Sequence, residues 1–455
     1  MPGTYLKLQL KAHGELAQLA RLRRAAGFAL LLWILLWAGY NTGIYQVQAP
    51  HFPANFLQLF HGIRAFFPLL AGWLALLVLL RKGGVKTWAV AGPVGLCGLF
   101  AGAGLISSGL ISKFPLNAIY WACMYGAVVI VLLAVCSDAE ALPVLSRVIA
   151  ANWAIDIALL LGLLGAIPFL GRSALTPTTG SPLGVIAYNG LIANHQSLLG
   201  MASTRNTGLA RYAAVAGLVA LGKLWKGKFP GKVAWFAILL IAVYALVLAQ
   251  ARTEIVGFLA GTLVILALRK SWRMFFIGIG GLGMLLLGLA GFFRVLWKFS
   301  TRGGGFDPTL TGRTRQWMEG LAATRRSPWL GLGFQADRYY LHGIQLENAL
   351  SQALIQSGIL GTLALVAAFI LAWYLLARLC VGRFSSHLPD EIPGILAFFT
   401  VMSVTESTAF YGANWLLLAP VLAYIQVLAW QQGILNFGQS VLGPEAPPVS
   451  PRLPA

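Results

Sequence analysis

The chain is short of charge. Only 10% of its 455 residues are Asp, Glu, Lys or Arg, whereas a soluble domain carries about 25%. Acid is scarcer still: 13 Asp and Glu stand against 33 Lys and Arg, a net charge of +20. That balance excludes an ordinary soluble domain. With 58% hydrophobic residues and a mean hydropathy of +0.77, the composition is that of an integral membrane protein. In that setting the basic excess reads as Lys and Arg flanking membrane helices, and no nucleic-acid partner is expected. Cysteine is sparse as well. Cys97, Cys123, Cys136 and Cys380 lie in or beside apolar runs without metal-ligand spacing, so they read as small hydrophobes, and neither a metal nor another cofactor is expected. There is no internal repeat and no soluble domain. A cleavable signal segment is not expected either: the basic stretch 1–25 is too long for an n-region, and the apolar run after it lacks a small-residue cleavage site.

What the chain has is apolar length. With about 20 residues needed per span, twelve helices are predicted at 26–46, 65–81, 87–106, 115–136, 148–169, 210–223, 233–250, 254–268, 274–296, 350–377, 391–411 and 414–431. The fold class is therefore an all-α polytopic membrane protein. Fifty-two glycines and 15 tryptophans suit membrane helices and their interfacial belts. Placing the N-terminus inside puts 19 of the 33 basic residues in cytoplasmic segments, and the even helix count returns the Pro-rich tail, 432–455, to the same side. Helices 1–9 then occupy 26–296, with an outer segment at 170–209. A large outer loop at 297–349 separates them from helices 10–12, which occupy 350–431.

The inner basic set is ten Arg and nine Lys, whereas the 14 outer ones are twelve Arg and two Lys. Sorting by charge does not distinguish the two bases. Arg, however, offers a planar fork that grips phosphate or carboxylate in bidentate fashion. An anionic ligand on the outer face accounts for the bias; ion pairing and headgroup contact are the competing reading. The polar interval from 299 to 360 concentrates these residues, with five arginines between Arg313 and Arg338. Arg313 and Arg315, in TGRTRQW, precede a short amphipathic helix whose N-terminus would add backbone donors for an anion. Arg252, in AQARTEIVG, sits at a hydrocarbon boundary, where a charge is a functional candidate by default. It could also snorkel to headgroups or pair with Glu254. Arg205 and Arg211 flank the start of the sixth span. SPWLGLGF, 327–334, reads as a turn that brings backbone close to backbone. Glu347, followed by Asn348, lies at the entry of the tenth span, where a carboxylate could accept a proton from a hydroxyl or simply complement a helix dipole. His342 is the other possible base, and Glu406 could tie down an arginine or line an acceptor path.

Taken together these residues resemble a known family. TGRTRQW, then SPWLGLGF, then the polar pair Glu347-Asn348 nine residues ahead of GILG at 358–361 are similar to the O-antigen ligases and polymerases, chiefly over 190–362. The resemblance implies a twelve-helix bacterial inner-membrane glycosyltransferase with its active site at the periplasmic face. It further implies an undecaprenyl diphosphate-linked glycan donor, a glycan or lipid A–core acceptor, and inversion at the anomeric carbon. On that pattern Arg211, Arg252, Arg313 and Arg315 would bind diphosphate, and Glu347, Arg252 and Arg313 would be catalytic. Asn348, His342, Glu406 and Arg205 would support the acceptor. The ligase pattern begins the polar pair with His where this chain has Glu347, which leaves ligation and repeat-unit polymerisation both open and favours the second. A transporter of an anionic lipid-linked saccharide is the reading from another class. Charge gathered on one outer face, without paired interrupted helices, speaks against it.

Overall fold

The computed structural model describes residues 2–40, 63–166, 206–225, 229–249, 251–269, 313–341, 346, 348–381, 388–405 and 412–435. Every described element is a helix. In chain order they are α1 (Pro2–Tyr40), α2 (Phe66–Arg81), α3 (Thr87–Val90), α4 (Pro93–Leu110), α5 (Pro115–Cys136), α6 (Ala141–Ala166) and α7 (Asn206–Leu224). Then follow α8 (Phe229–Ala249), α9 (Arg252–Leu268), α10 (Arg313–Thr324), α11 (Ala336–Tyr340), α12 (Ala349–Val381), α13 (Glu391–Thr405) and α14 (Gly412–Gln431). Among the described residues six helices are long and apolar enough to cross a membrane, which makes this a multi-pass membrane protein. The ninth expected span, 274–296, lies outside the described residues, as do 170–205 and 297–312. At 39 residues α1 is about 58 Å long, nearly twice the hydrocarbon thickness, so the basic stretch and residues 26–40 of the first expected span form one continuous helix.

Two expected spans are interrupted, so the lack of interrupted helices that spoke against a transporter in the sequence does not hold in the structure. The third, 87–106, is split into α3 and α4 at Gly92, where Pro93 takes the first helical position. Proline has no N–H to give and starts a helix there without loss. Gln426 of α14 fills the gap. Its Oε1 accepts the Val94 N–H at 2.9 Å and its Nε2 donates to the Ala89 carbonyl at 2.8 Å.

The second interruption organises the outer region. The tenth span, expected unbroken, is broken at Gly358 (φ 63°, ψ −166°) inside α12. In hydrocarbon every backbone polar group needs an internal partner, and here the SPWLGLGF segment supplies it as a strap across the break. Ile359 and Leu360 donate to the carbonyls of Pro328 and Trp329 at 2.8 and 3.3 Å. In return Leu332 and Gly333 donate to the carbonyls of Ile355 and Gln356 at 2.7 and 3.0 Å. The close approach depends on glycine. A Cβ on Gly358 would lie 2.3 Å from the Trp329 carbonyl carbon, and one on Gly331 (φ 74°) would lie 2.5 Å from the Gly358 nitrogen. The expectation that SPWLGLGF brings backbone close to backbone is met, with α12 as its partner.

Polar staples hold the bundle where apolar surface gives no preference over lipid. Asn152 of α6 accepts from the indoles of Trp33 and Trp37 at 3.2 and 2.9 Å and donates to the Leu416 carbonyl at 3.0 Å, which ties α1, α6 and α14. α14 is the central helix, nearly all of it buried. At one end of the bundle Lys223 pairs with Glu391 at 2.6 Å and Arg269 pairs with Asp390, joining the ends of α7 and α9 to the start of α13. The candidate site lies at the opposite end of those helices. The four cysteines are unpaired, Cys97 and Cys136 buried and the other two half-buried.

Gly358→Ala should destabilise the protein. The left-handed backbone alone costs about 1–3 kcal/mol, and the added methyl meets the strap. Thermal unfolding in detergent should start at a clearly lower temperature than in wild type. Gly102→Ala in α4, where a Cβ meets nothing within 4 Å, should leave the midpoint unchanged or raise it.

Candidate functional site

α10 is amphipathic. Trp317, Gly320, Ala323 and Thr324 turn inward toward a small core of Leu332, Ala336, Leu341, Leu346 and Ile355. Its outer face carries Arg315, Met318, Glu319 and Leu321. Arg315 is 86% exposed and pairs with Glu319 four residues on at 2.9 Å, a solvated contact worth little. From the strap the chain plunges inward at Phe334. Its N–H donates to the Ser108 hydroxyl at 3.0 Å, and its ring packs on Phe100 and Tyr125 with centroids 5.6 and 6.0 Å away. Tyr125 in turn stacks on Trp415 of the central helix at 4.5 Å. The outer assembly is therefore keyed into the bundle core.

After the left-handed Gln335 (φ 62°) comes the short α11, whose two tyrosines grip the α4–α5 turn. The Tyr339 ring packs on Phe114 at 4.4 Å and its hydroxyl meets the Asn117 amide, while Tyr340 lies between Lys113 and Arg326 at 5.6 and 5.1 Å. Asp337, on the same turn, has no exposed surface. Its Oδ2 accepts the Leu346 N–H at 3.2 Å and the Gln352 amide at 3.0 Å, and its Oδ1 accepts the Gln356 amide at 3.4 Å. Burial raises its carboxyl above the usual aspartate range, against the pull of those three donors and of the Arg338 charge.

Two further strands of the site meet at the start of α12. Asn348 caps that helix, its Oδ1 accepting the Ser351 N–H at 2.8 Å, and its Nδ2 donates to the Val404 carbonyl in the last turn of α13 at 2.7 Å. At the same end of the bundle the Arg211 Nε engages Glu254 Oε1 at 3.2 Å, both side chains under 10% exposed. Arg252 is the first residue of α9, two positions from that carboxylate. Arg211 is thus one partner of Glu254; the sequence also offered that carboxylate to Arg252, whose side chain lies outside the described residues.

The structure thus joins Arg211 to Glu254 and Asn348 to α13, and it leaves Arg315 on an exposed face. Arg252 and Arg313 are placed by backbone alone, each as the first residue of a helix. Glu347, His342, Glu406 and Arg205 lie outside the described residues. Among the described residues no three His, Cys, Asp or Glu side chains gather as a metal set. Three polar residues escaped the sequence reading. Asp337 gave no signal beyond being an acid in a basic loop. Asp156 did give one, as a lone charge inside the apolar run of α6. Its carboxyl and the Tyr212 hydroxyl of α7 are buried and make no hydrogen bond among the described residues.

Residues 235–366 match the family model described as O-antigen ligase. The exopolysaccharide production protein ExoQ of Rhizobium meliloti (strain 1021) is 28% identical over 222 residues, 42% of this chain and 47% of that protein. The chain thus spans about half the length of this curated relative. Both comparisons bear out the resemblance read from the sequence motifs. The family match covers α9, α10, the strap and the Glu347-Asn348 pair; it begins later than the expected 190 and ends four residues beyond the expected 362.

Two outcomes follow from the buried carboxylates. Glu254→Ala leaves Arg211 without this partner and should cost about 3–5 kcal/mol, read as a marked fall in the thermal midpoint. For Asp337, the folded carboxyl keeps its proton to higher pH than the unfolded chain does. Its stabilising contribution is therefore full below about pH 4 and is lost as pH rises through the folded value. The difference in midpoint between wild type and Asp337→Asn should be most favourable to wild type at the acid end and decline as pH rises.

Proposed function

We propose that this O-antigen ligase-like membrane protein is a glycosyltransferase. It would move a glycan from an undecaprenyl diphosphate-linked donor to an acceptor hydroxyl at the periplasmic face of the bacterial inner membrane. The observation that carries the reading is the reach of the family match, which runs from within α8 to within α12 and takes in Arg252, Arg313, the strap and the Glu347-Asn348 pair. In the reaction the acceptor oxygen attacks the anomeric carbon, the bond from that carbon to the diphosphate oxygen breaks, and the acceptor proton passes to Glu347. A single displacement of this kind inverts the anomeric centre. Negative charge grows on the leaving diphosphate, and preorganised cations are the strongest means of stabilising it. Arg252 and Arg313 fill that role at helix N-termini, where backbone donors add to the guanidinium. Arg211, held by Glu254, would add a further guanidinium. Apolar helix walls hold the polyprenyl chain at bilayer depth. The twelve-span topology, with both termini cytoplasmic, belongs to this proposal and puts the start of α7, α9 and α12 on the periplasmic side.

Repeat-unit polymerisation is favoured over ligation to lipid A–core. Glu347 stands where the ligase pattern has His, and the relative from Rhizobium meliloti is named for exopolysaccharide production. The full-length protein in liposomes, given undecaprenyl diphosphate-linked repeat units alone, should build a ladder of lengthening glycans on a gel. Glu347→Gln should lower the rate about 10²–10⁴-fold, and Arg252→Gln should slow turnover by a comparable factor. Transfer seen only after lipid A–core is added would make the protein a ligase. Unchanged donor that merely crosses the bilayer would overturn the enzyme reading in favour of a transporter.

A further inference from the structure

The chemistry proposed above gives no part to Asp337, a carboxyl with no exposed surface in a loop otherwise rich in arginine. We propose that Asp337 is a positioning residue for the transfer reaction: by gathering the Leu346 N–H and the amides of Gln352 and Gln356, it fixes the backbone that leads into Glu347. The inference rests on the reading of Glu347 as the base.

The three contacts come from both sides of the segment concerned. Leu346 immediately precedes Glu347, and its N–H lies 3.2 Å from Asp337 Oδ2. Gln352 and Gln356, one helical turn apart on α12, reach the same carboxyl at 3.0 and 3.4 Å. Asp337 thus holds the residue before Glu347 and two residues in the first turns of α12. Asn348 adds the complementary hold, since it caps α12 and reaches the Val404 carbonyl of α13 at 2.7 Å. Leu346 itself is fully buried between Leu332, Leu341 and Ile355. One neighbour of Glu347 is therefore tied to α11 and the other to α13.

Energetics argue against mere space filling. Taking a carboxylate out of water is costly, and a well-packed apolar residue of similar size commonly serves stability as well or better. What an apolar residue cannot do is accept three N–H groups at once. A proton acceptor, in turn, must be held within hydrogen-bond reach of the acceptor hydroxyl. A displacement of about 1 Å can cost on the order of 10²-fold in rate.

The test uses the full chain in liposomes with undecaprenyl diphosphate-linked repeat units. In Asp337→Asn an amide group replaces one acceptor oxygen and faces donors. Turnover should fall about 10–100-fold, with KM for the lipid-linked donor unchanged within about twofold. Gln352→Ala removes one donor and leaves the carboxyl in place, so it decides the matter if Asp337→Asn fails to fold; a loss of about 3–10-fold in kcat is expected. The double variant with Glu347→Gln should be no slower than Glu347→Gln alone, because groups that act as a unit are not additive. A merely structural Asp337 would instead give losses that multiply, or a raised KM, and either overturns the inference. So does wild-type turnover in both Asp337→Asn and Gln352→Ala while Glu347→Gln is inactive, a result that leaves the base assignment standing. A fully active Glu347→Gln removes the base assignment itself, and the positioning role falls with it.

Discussion

The N–H groups of Ile359 and Leu360 would be stranded in hydrocarbon if α12 were simply broken at Gly358. They find the carbonyls of Pro328 and Trp329 instead. That exchange governs most of the outer region, because the strap that completes α12 is the same segment that ends α10 and leads to Phe334. The strap cannot shift without reopening the break, and Phe334 cannot withdraw without losing its packing against both Phe100 and Tyr125. A loop bound in this way behaves as part of the bundle. Positions on it are as well defined as positions on a membrane helix, which is the kind of support a reacting constellation needs.

Charge is distributed with similar economy. With only 13 acids available, most of the described ones carry a specific load. Asp390, Glu391 and Asp138 lock helix ends to Arg269, Lys223 and Lys82. Glu254, toward the opposite end, meets Arg211 inside the bundle. That pairing alters what Arg211 can report. A neutral residue at 211 removes this cation from a buried Glu254, which costs stability before any ligand is considered. Lost activity in an Arg211 variant would therefore mix folding with phosphate binding.

Much of the helical scaffold was legible because the hydrophobic runs are long and the turns between them polar or basic. The starts of α5 and α13 coincide with the expected spans, and those of α2 and α9 fall within two residues. α6 begins seven residues earlier than expected, since Ala141, Leu142, Val144 and Leu145 are apolar enough to extend it past Arg147. The two interruptions were not legible as such. Gly92-Pro93 and Gly358 each sit in runs of unbroken hydropathy, and what allows a break is a partner far away in sequence, Gln426 in one case and the strap in the other. For the site, periodicity and composition drew attention to arginines and to SPWLGLGF. They could not indicate Asp337, whose significance lies in three donors arriving from positions 346, 352 and 356.

The replacement of His by Glu347 in the ligase-like pattern has a chemical consequence within the proposed function. An unperturbed Glu is about two pK units less basic than His, which looks like a handicap for removing a proton from a sugar hydroxyl. The handicap matters only if the proton leaves early. Displacement at an anomeric carbon has strong oxocarbenium character, and the attacking hydroxyl becomes acidic as its bond to carbon forms. Carboxylates serve as general bases in inverting glycoside hydrolysis for this reason. A Glu base is then adequate provided that it is ionised and correctly placed. Placement is the part that the Asp337 and Asn348 contacts would secure. Geometry, more than basicity, is what this site would have to supply.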